Sequence, residues 1–491
     1  MKREDNVPFR SFGRGAAGRS IRYTPATVDD VRLVFDTARK SGQRIMTRGG
    51  GHSFHDQALH DGDSDQQIII SSDCFNTITF APNGDPNTVR LGAGVTWIDY
   101  FNSAVDDART KGGPLRLPGS MQTGRSATAG GTMSGDCLSR FSAVLGKESL
   151  WIESFRIVTT EGDCLDVNRN SYPDLFYAAI GGHGYLGFVT DVTYKLIAID
   201  SASCARTRIT TYECFGDLVE AQLQIINSTI QAPAPLLPRA VSSVWFTDLA
   251  DIGQPDKIKG GVFDSSYALP SNPPRAGFPL YGDIESHWRY AVELMARIDP
   301  LNLLIHEFLY NLAKEHKDPF ENDLMDFLFF MDGNTVAKDK FEKQFSPQLF
   351  PIVQQTFVIP KEQTVAFAQT CERKMSARGL RPTETDMLFV ARDECLMSAN
   401  YQLEGFAVTI AFEPIAPDGQ APPRIVDLMH ELSVDCQALG GRVHFVKNIY
   451  SDPVVLRKMF HPQIEQFEDI KRKYDPSLLL QNKFSDTFFT F

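Results

Sequence analysis

A chain of 491 residues that is 42% hydrophobic and 11% aromatic is too long for one compact core, so about two or three domains are expected. Its 61 acidic against 49 basic residues give a formal charge of −12, which excludes a nucleic-acid or anionic-membrane footprint, since both need clustered basic surface. Eight cysteines with no CxxC pair or zinc-ligand spacing read as reduced thiols of a cytoplasmic protein. Neither an apolar h-region in "MKREDNVPFR" nor a run of roughly 20 apolar residues marks a leader or a membrane segment.

In chain order, the first motif is a GxGxxG at Gly13, Gly15 and Gly18 in "SFGRGAAGRSIRYTP". A dinucleotide turn of the Rossmann kind needs a strand before it and a helix after it, and here a strand-like "SIRYT" follows. Next, "RYTPATVDDVRLVFDTARKSGQRIMTRGGGHSF" reads as strand, helix, strand and glycine turn. Thr27 caps the helix, Asp29 and Asp30 fill its first turn, Val31, Val34, Phe35 and Ala38 form its stripe, and Gly42 ends it. Three glycines then lead directly into His52. As residues alone, they leave four roles open for it: metal ligand, base, cofactor anchor or buried histidine.

Between Gly92 and Leu196, glycine recurs in clusters between short apolar runs. One piece is a hairpin, with Glu161, Gly162 and Asp163 turning between strands at 156–160 and 164–167. The other turns fit either a hairpin-rich domain or backbone nests along a large phosphorylated cofactor. After about residue 200 the texture changes to proline-rich connectors and longer helical patterns broken at Pro300. The stretch "ENDLMDFLFFMDGN" fits a core stripe, or a flap over an apolar substrate tail. Near the end, alternation places Val443, Phe445 and Lys447 on one strand face. A lysine ending such an apolar row would have a depressed pKa and could take a hydroxyl proton. A helix is expected to end near Tyr474, before the chain returns across the first domain.

The ordered set "RGGGHSF", "LPGSMQTGRSATAGG" and "GGHGYLGFVTDVTYKL" resembles the vanillyl-alcohol oxidase superfamily, with its PCMH-type FAD-binding domain, from about residue 12 to 200 and again near the C-terminus. The resemblance implies an α+β two-domain fold. Residues 1–200, completed by 441–491, would bind FAD, and residues 201–440 would form an inserted substrate domain of antiparallel sheet and helices. It implies FAD phosphates against Arg48, Gly49, Gly50, Gly51 and Ser53, and a covalent bond from His52 to the flavin. Further flavin contacts are implied at Pro118, Gly119, Ser120, Gly124, Ser126, Gly130, Gly131, Gly135, Asp136, Cys137, Gly187 and Val189. No metal is expected, since His52, His55 and His60 match no ligand spacing.

Within the superfamily, "SFGR", "VQQTFVIP", "GFAVTIAF", "GGRVHFVKN" and "YDPSLLLQNKFSD" are similar to the decaprenylphosphoryl-ribose oxidase group, and "GHSF" to alditol oxidases. That likeness implies Lys447 and Gln354 as catalytic residues; Asn448 joins them, and Arg140 is a further candidate, because amide and guanidinium groups offer directed donors for positioning hydroxyls or a phosphate. Asp136 matches the ribose-oxidase pattern, but Leu138, Ser139 and Arg140 replace its histidine, glycine and lysine. Gly124 stands where berberine-bridge-like enzymes carry a second, cysteinyl flavin link, so one link is expected. The implied activity is oxidation of a carbinol on a sugar, polyol or glycosylated small molecule, with oxygen or another electron acceptor. Oxidation of an amine, alkaloid or polyketide intermediate is the alternative, and a flavoprotein with little turnover the third reading.

Overall fold

The computed structural model describes residues 1–121, 124–231, 238–246, 257–275, 291, 294–295, 297–298, 301–316, 318–329, 351–416 and 419–491. The capping signals around Thr27 act as their chemistry dictates, and α1 spans Val28–Ser41. Thr27 accepts from the Asp30 N–H while the Asp30 carboxylate accepts from the Thr27 backbone, Gly42 closes the helix in the left-handed region, and Val31, Val34, Phe35 and Ala38 are buried. Thr27→Ala removes half of this reciprocal cap. A loss of about 1 kcal/mol is expected, read as a lower urea midpoint at unchanged slope.

The helix joins two strands of a mixed sheet made from β1 (Lys2–Arg10), β2 (Ala17–Thr24), β3 (Ile45–Arg48) and β4 (Gly62–Ser71), ordered β1-β2-β4-β3. Both β2 and β3 run parallel to β4, so the isoleucines at 68–70 are covered on both faces. Ile68 and Ile70 pack with α1, and Ile69 with the main core. The "SIRYT" stretch lies in β2.

A second sheet is antiparallel throughout. Along this part of the chain come β5 (Ile78–Phe80), β6 (Thr88–Gly92), β7 (Leu115–Leu117), β8 (Ile152–Val158), β9 (Cys164–Asn168), β10 (Phe188–Lys195) and β11 (Ile197–Ile199); the sheet order is β5-β6-β10-β8-β9, with β7 and β11 paired separately. The expected hairpin forms, but its first strand stops at Val158 rather than at residue 160. Thr159 N–H donates to Asp163 O and Gly162 N–H to Thr159 O, so two residues assigned to the strand close the turn instead. Helices α2 (Trp97–Lys111) and α3 (Ala129–Gly135) complete this half.

The third sheet has eight antiparallel strands. They are β12 (Cys204–Tyr212), β13 (Arg239–Phe246), β14 (Lys259–Ala268), β15 (Phe320–Asn322), β16 (Val353–Pro360), β17 (Glu384–Val390), β18 (Gly405–Phe412) and β19 (Arg442–Val443), ordered β15-β12-β14-β13-β17-β18-β16-β19. Helices Phe215–Ile230, Thr364–Ala377 and Pro423–Ala438 pack on it. Gln355 Nε2 donates to Ser433 Oγ of the last of these, which fixes the odd-numbered face of β16 toward the helices. Period two then turns Gln354 and Thr356 to the other side.

Helix Leu301–Glu315 begins directly after Pro300, which lies outside the described residues. In the apolar stretch, Leu324–Leu328 is a short helix whose Phe327 meets Phe141, while Phe329 meets Phe101. Leu324, Phe327, Leu328 and Phe329 are core while Met325 is exposed; positions 330 and 331 lie outside the described residues. The eight cysteines are free thiols, and among the described residues no helix is long and apolar enough to cross a membrane.

One expected strand is corrected. β19 ends at Val443, so Val443, Phe445 and Lys447 do not share a strand face. Residues 444–447 turn, with Lys447 N–H donating to His444 O at 3.4 Å. The physical reason is that this backbone is bonded from outside the sheet: Gln57 Nε2 donates to the Phe445 and Lys447 carbonyls, and Phe54 N–H to Val446 O. The final helix expectation holds: Gln463–Tyr474 is helical, and Ile45 N–H donates to Leu479 O as the chain returns beside β3.

Candidate active site

β3 delivers Arg48 to the rim of a cavity of about 380 Å³, within the size range of small-molecule sites. The glycine turn that follows lies against residues 124–131. A Cβ at Gly50 would sit 2.2 Å from Ser126 O, and Gly51 has φ +73°, so neither position accepts a side chain without moving backbone. Gly130, Gly131, Gly135, Gly184 and Gly187 continue this side-chain-free wall. Such a strip fits a long, flat, phosphate-bearing cofactor, because nothing projects from it and the backbone is approachable. Gly50→Ala is expected to force the turn off the Ser126 carbonyl. A lower melting temperature, equivalent to about 1–3 kcal/mol, and loss of flavin absorbance in the purified protein are the readouts.

His52 stands at the end of that wall. Its Nε2 meets Ser126 Oγ at 2.8 Å, and its ring stacks on Phe12 at 5.2 Å. Burial first, then the charges of Arg48 and Lys447, pull its pKa down to about 4, so the imidazole is neutral at physiological pH. His55 instead pairs with Asp56 at 2.5 Å and His60 with Ile68 O at 3.1 Å, so the three histidines do not converge.

On the other side, Lys447 Nζ donates to Gln354 Oε1 at 3.2 Å and lies 4.0 Å from the Phe54 ring centroid. The cavity therefore brings together His52, Arg48, Gly49, Gly50, Gly51, Ser53, Gly124, Gly130, Gly131, Gly135, Cys137, Gly187, Val189, Gln354 and Lys447 from the sequence reading. The Arg48 guanidinium is spent on the Ala58 and Arg10 carbonyls. Burial pushes the Cys137 thiol up and suppresses its thiolate. Arg140 lines the wall but donates to Phe327 O and stacks on that ring at 4.2 Å.

Five expected contacts fall elsewhere. Asn448 is fully buried, its Oδ1 accepting from Gln354 N–H and its Nδ2 donating to Phe54 O; it fastens two segments rather than facing a ligand. Asp136 is bound by Lys147. Pro118 is buried beside Gly119, whose Cβ would meet the Trp151 ring at 2.1 Å, and Ser120 Oγ meets Ser139 Oγ at 3.0 Å. None of these is on the cavity lining. Ser126 is off the lining as well; its Oγ meets His52 Nε2 and its carbonyl backs Gly50.

Sequence reading missed the polar floor. Thr356, Glu384, Asp386 and Thr409 line the cavity from three neighbouring strands. The signal was present in "ETDMLFV", where two acids at i and i+2 must share one face of a strand whose other face is core.

Residues 20–168 match the family described as FAD binding domain. The chain is 28% identical over 176 residues to an FAD-linked oxidoreductase, fogF, of Aspergillus ruber, covering 35% of this chain and 32% of that protein. It is 30% identical over 167 residues to an FAD-dependent monooxygenase, FUP4, of Fusarium proliferatum, covering 33% and 29%. With cytokinin dehydrogenase 8 of Oryza sativa it shares 27% identity over 206 residues, covering 39% and 37%. These matches span less than half the length of the relatives. The sheet architecture and the glycine-walled cavity agree with the FAD binding domain match over residues 20–168. Together with the relatives they support the PCMH-type superfamily of FAD-linked oxidoreductases.

Proposed function

We propose that the protein is an FAD-dependent oxidase or dehydrogenase acting on a carbinol of a sugar, polyol or glycosylated small molecule. The observation that carries this is the meeting of Lys447 and Gln354 at 3.2 Å beside the glycine wall and His52: a donor pair able to grip one hydroxyl oxygen. Residues 1–200 with 441–491 hold the cofactor, and 201–440 supply the substrate side. Arg48, Ser53 and the residue 49–51 backbone border the phosphates, while Gly124, Gly130, Gly131, Gly135, Gly187 and Val189 border the rest. His52 is the covalent anchor. When bound, FAD supplies the two-electron acceptor for the hydride of the carbinol carbon. Lys447 and Gln354 hold the oxygen so that its carbon is presented to the flavin-facing wall.

A second reading, oxidation beside an amine nitrogen, is supported by the two carboxylates Glu384 and Asp386 on the cavity floor, which would attract a protonated amine. The test is anaerobic bleaching of the flavin by sorbitol, xylitol and methyl riboside against primary and N-methylated amines. Bleaching by the alcohols is expected. Bleaching by amines alone would transfer the site to the second reading, and bleaching by neither would remove both.

A further inference from the structure

The polar row across the cavity floor has a use that cofactor binding and hydroxyl grip leave open. Ladder register sets Asp386 of β17 opposite Thr409 of β18, and Thr409 opposite Thr356 of β16. The two threonine hydroxyls meet at 2.8 Å, beside Asp386 on the same face of the sheet. Asp386 Oδ1 is buried and has no hydrogen-bond partner among the described residues. A buried carboxyl oxygen without a donor is costly, and a packing role does not explain its retention. What it lacks is one O–H or N–H, which a cavity ligand would bring.

We propose that Asp386 takes the proton from the substrate's O–H or N–H as the adjacent carbon is oxidised, with Lys447 and Gln354 holding the same polar atom. This rests on the oxidation reading given above. In the step, the C–H bond breaks and its hydrogen leaves with both electrons to the flavin. The O–H bond leaves its electron pair on oxygen, which becomes the second bond of C=O, and the bare proton passes to Oδ1. For an amine, nitrogen replaces oxygen and C=N forms. No electron and no proton is left over.

The surroundings match that task. Burial first, then Glu384 two residues back on the same strand, push the Asp386 carboxyl up to about 7, against the opposing effects of Thr409 and of Lys447 on the 444–447 turn. Glu384 and Lys447 are the charged groups that bear on it most strongly, and Arg140, Arg297, His306, Glu413 and His444 line the same cavity. A proton acceptor works best when its pKa lies near the working pH.

The experiment uses holoprotein in wild-type, Asp386→Asn and Glu384→Gln forms. The rate of anaerobic bleaching by the fastest alcohol or amine of the panel is followed from pH 5 to 9, beside melting curves. Wild type is expected to show a rate that climbs with pH through a limb near 7. Asp386→Asn is expected to fall by about 100-fold or more and to lose the limb, and Glu384→Gln to move the limb to lower pH. Because ionising a carboxyl whose folded value is raised costs stability that accumulates from the unfolded value near 3.8 up to the folded value near 7, Asp386→Asn should melt about 3 °C above wild type at pH 8, with the gap less than about half as large at pH 5. A variant within threefold of wild type with its limb intact overturns the proposal while the oxidation reading stands. A variant that melts lower at both pH values makes Asp386 a packing residue and overturns it as well. If neither panel bleaches wild type, the oxidation reading fails and takes this proposal with it.

Discussion

His52→Ala is expected to give a folded, yellow protein that surrenders all its flavin on acid denaturation, whereas the wild-type polypeptide keeps the colour through precipitation and filtration. Attachment of a flavin to imidazole needs a nitrogen lone pair that is neither protonated nor shared. The pKa of about 4, set by burial and by Arg48 and Lys447, meets the first condition at any pH above about 5. The second selects one nitrogen. Nε2 is engaged with Ser126 Oγ at 2.8 Å, whereas Nδ1 faces Gly124, where even a Cβ would stand 3.5 Å away. Gly124 thus leaves the Nδ1 edge uncovered. A tryptic peptide spanning His52 should carry the mass of FAD in wild type and lose it entirely in the variant. Ser126→Ala should leave the link possible but incomplete, since the hydroxyl no longer fixes the tautomer. Free FAD from the acid-treated wild type would reduce His52 to a ring packed on Phe12.

Legibility from sequence followed the range of the interactions involved. α1 could be read to the residue because its cap, stripe and C-terminal glycine are all within 16 positions of one another. The glycine turn could be read for the same reason: its steric demand is local, although the atom that imposes it, Ser126 O, is not. Lys447 was placed at the site by resemblance, yet alternation gave the wrong local structure. The turn that presents it is held by Gln57, 390 residues away in the chain, and no periodicity encodes such a contact. Asp136 matches the family pattern and Asn448 stands within "GGRVHFVKN" with an amide able to position a hydroxyl, but a place in a motif does not set a side chain's direction. Both point into packing between distant segments. Asp386 was passed over for the converse reason: alternation in "ETDMLFV" puts it with Glu384 on one strand face, but only the sheet register makes that face the floor of a cavity.

The partner of Asp136 leads to the largest stability effect expected in the molecule, that of Lys147→Met. Lys147 has no exposed side-chain surface, and its ammonium binds Asp136, Asp393 at 3.1 Å, Ser398 Oγ at 2.7 Å and Asn400 Oδ1 at 2.8 Å. Asp136, Asp393 and Cys395 come within ligand distance of one another, and the lysine is the cation they surround. Burial opposes its charge, but Asp136 and Asp393 outweigh burial and raise its pKa. A lysine raised above its unfolded value contributes stability that is complete below about pH 10 and is lost only in alkali. Between pH 5 and 8 the lysine itself therefore stays charged. Removing it leaves two buried carboxyls without a counter-charge, at a cost of about 3–5 kcal/mol near pH 8. The deficit must depend on pH in the variant. Burial already pushes Asp393 up to about 7 with the lysine present, and without the lysine it rises further. A carboxyl raised in the folded state takes up protons as pH falls, and that uptake relieves the penalty. Urea unfolding should accordingly show the full deficit at pH 8 and less than about half of it at pH 5. Flavin affinity should fall in parallel, because Asp136 caps the end of α3, which carries Gly130, Gly131 and Gly135 on the cavity wall. An equal deficit at both pH values would mean that lost packing, not stranded charge, is what Lys147 prevents.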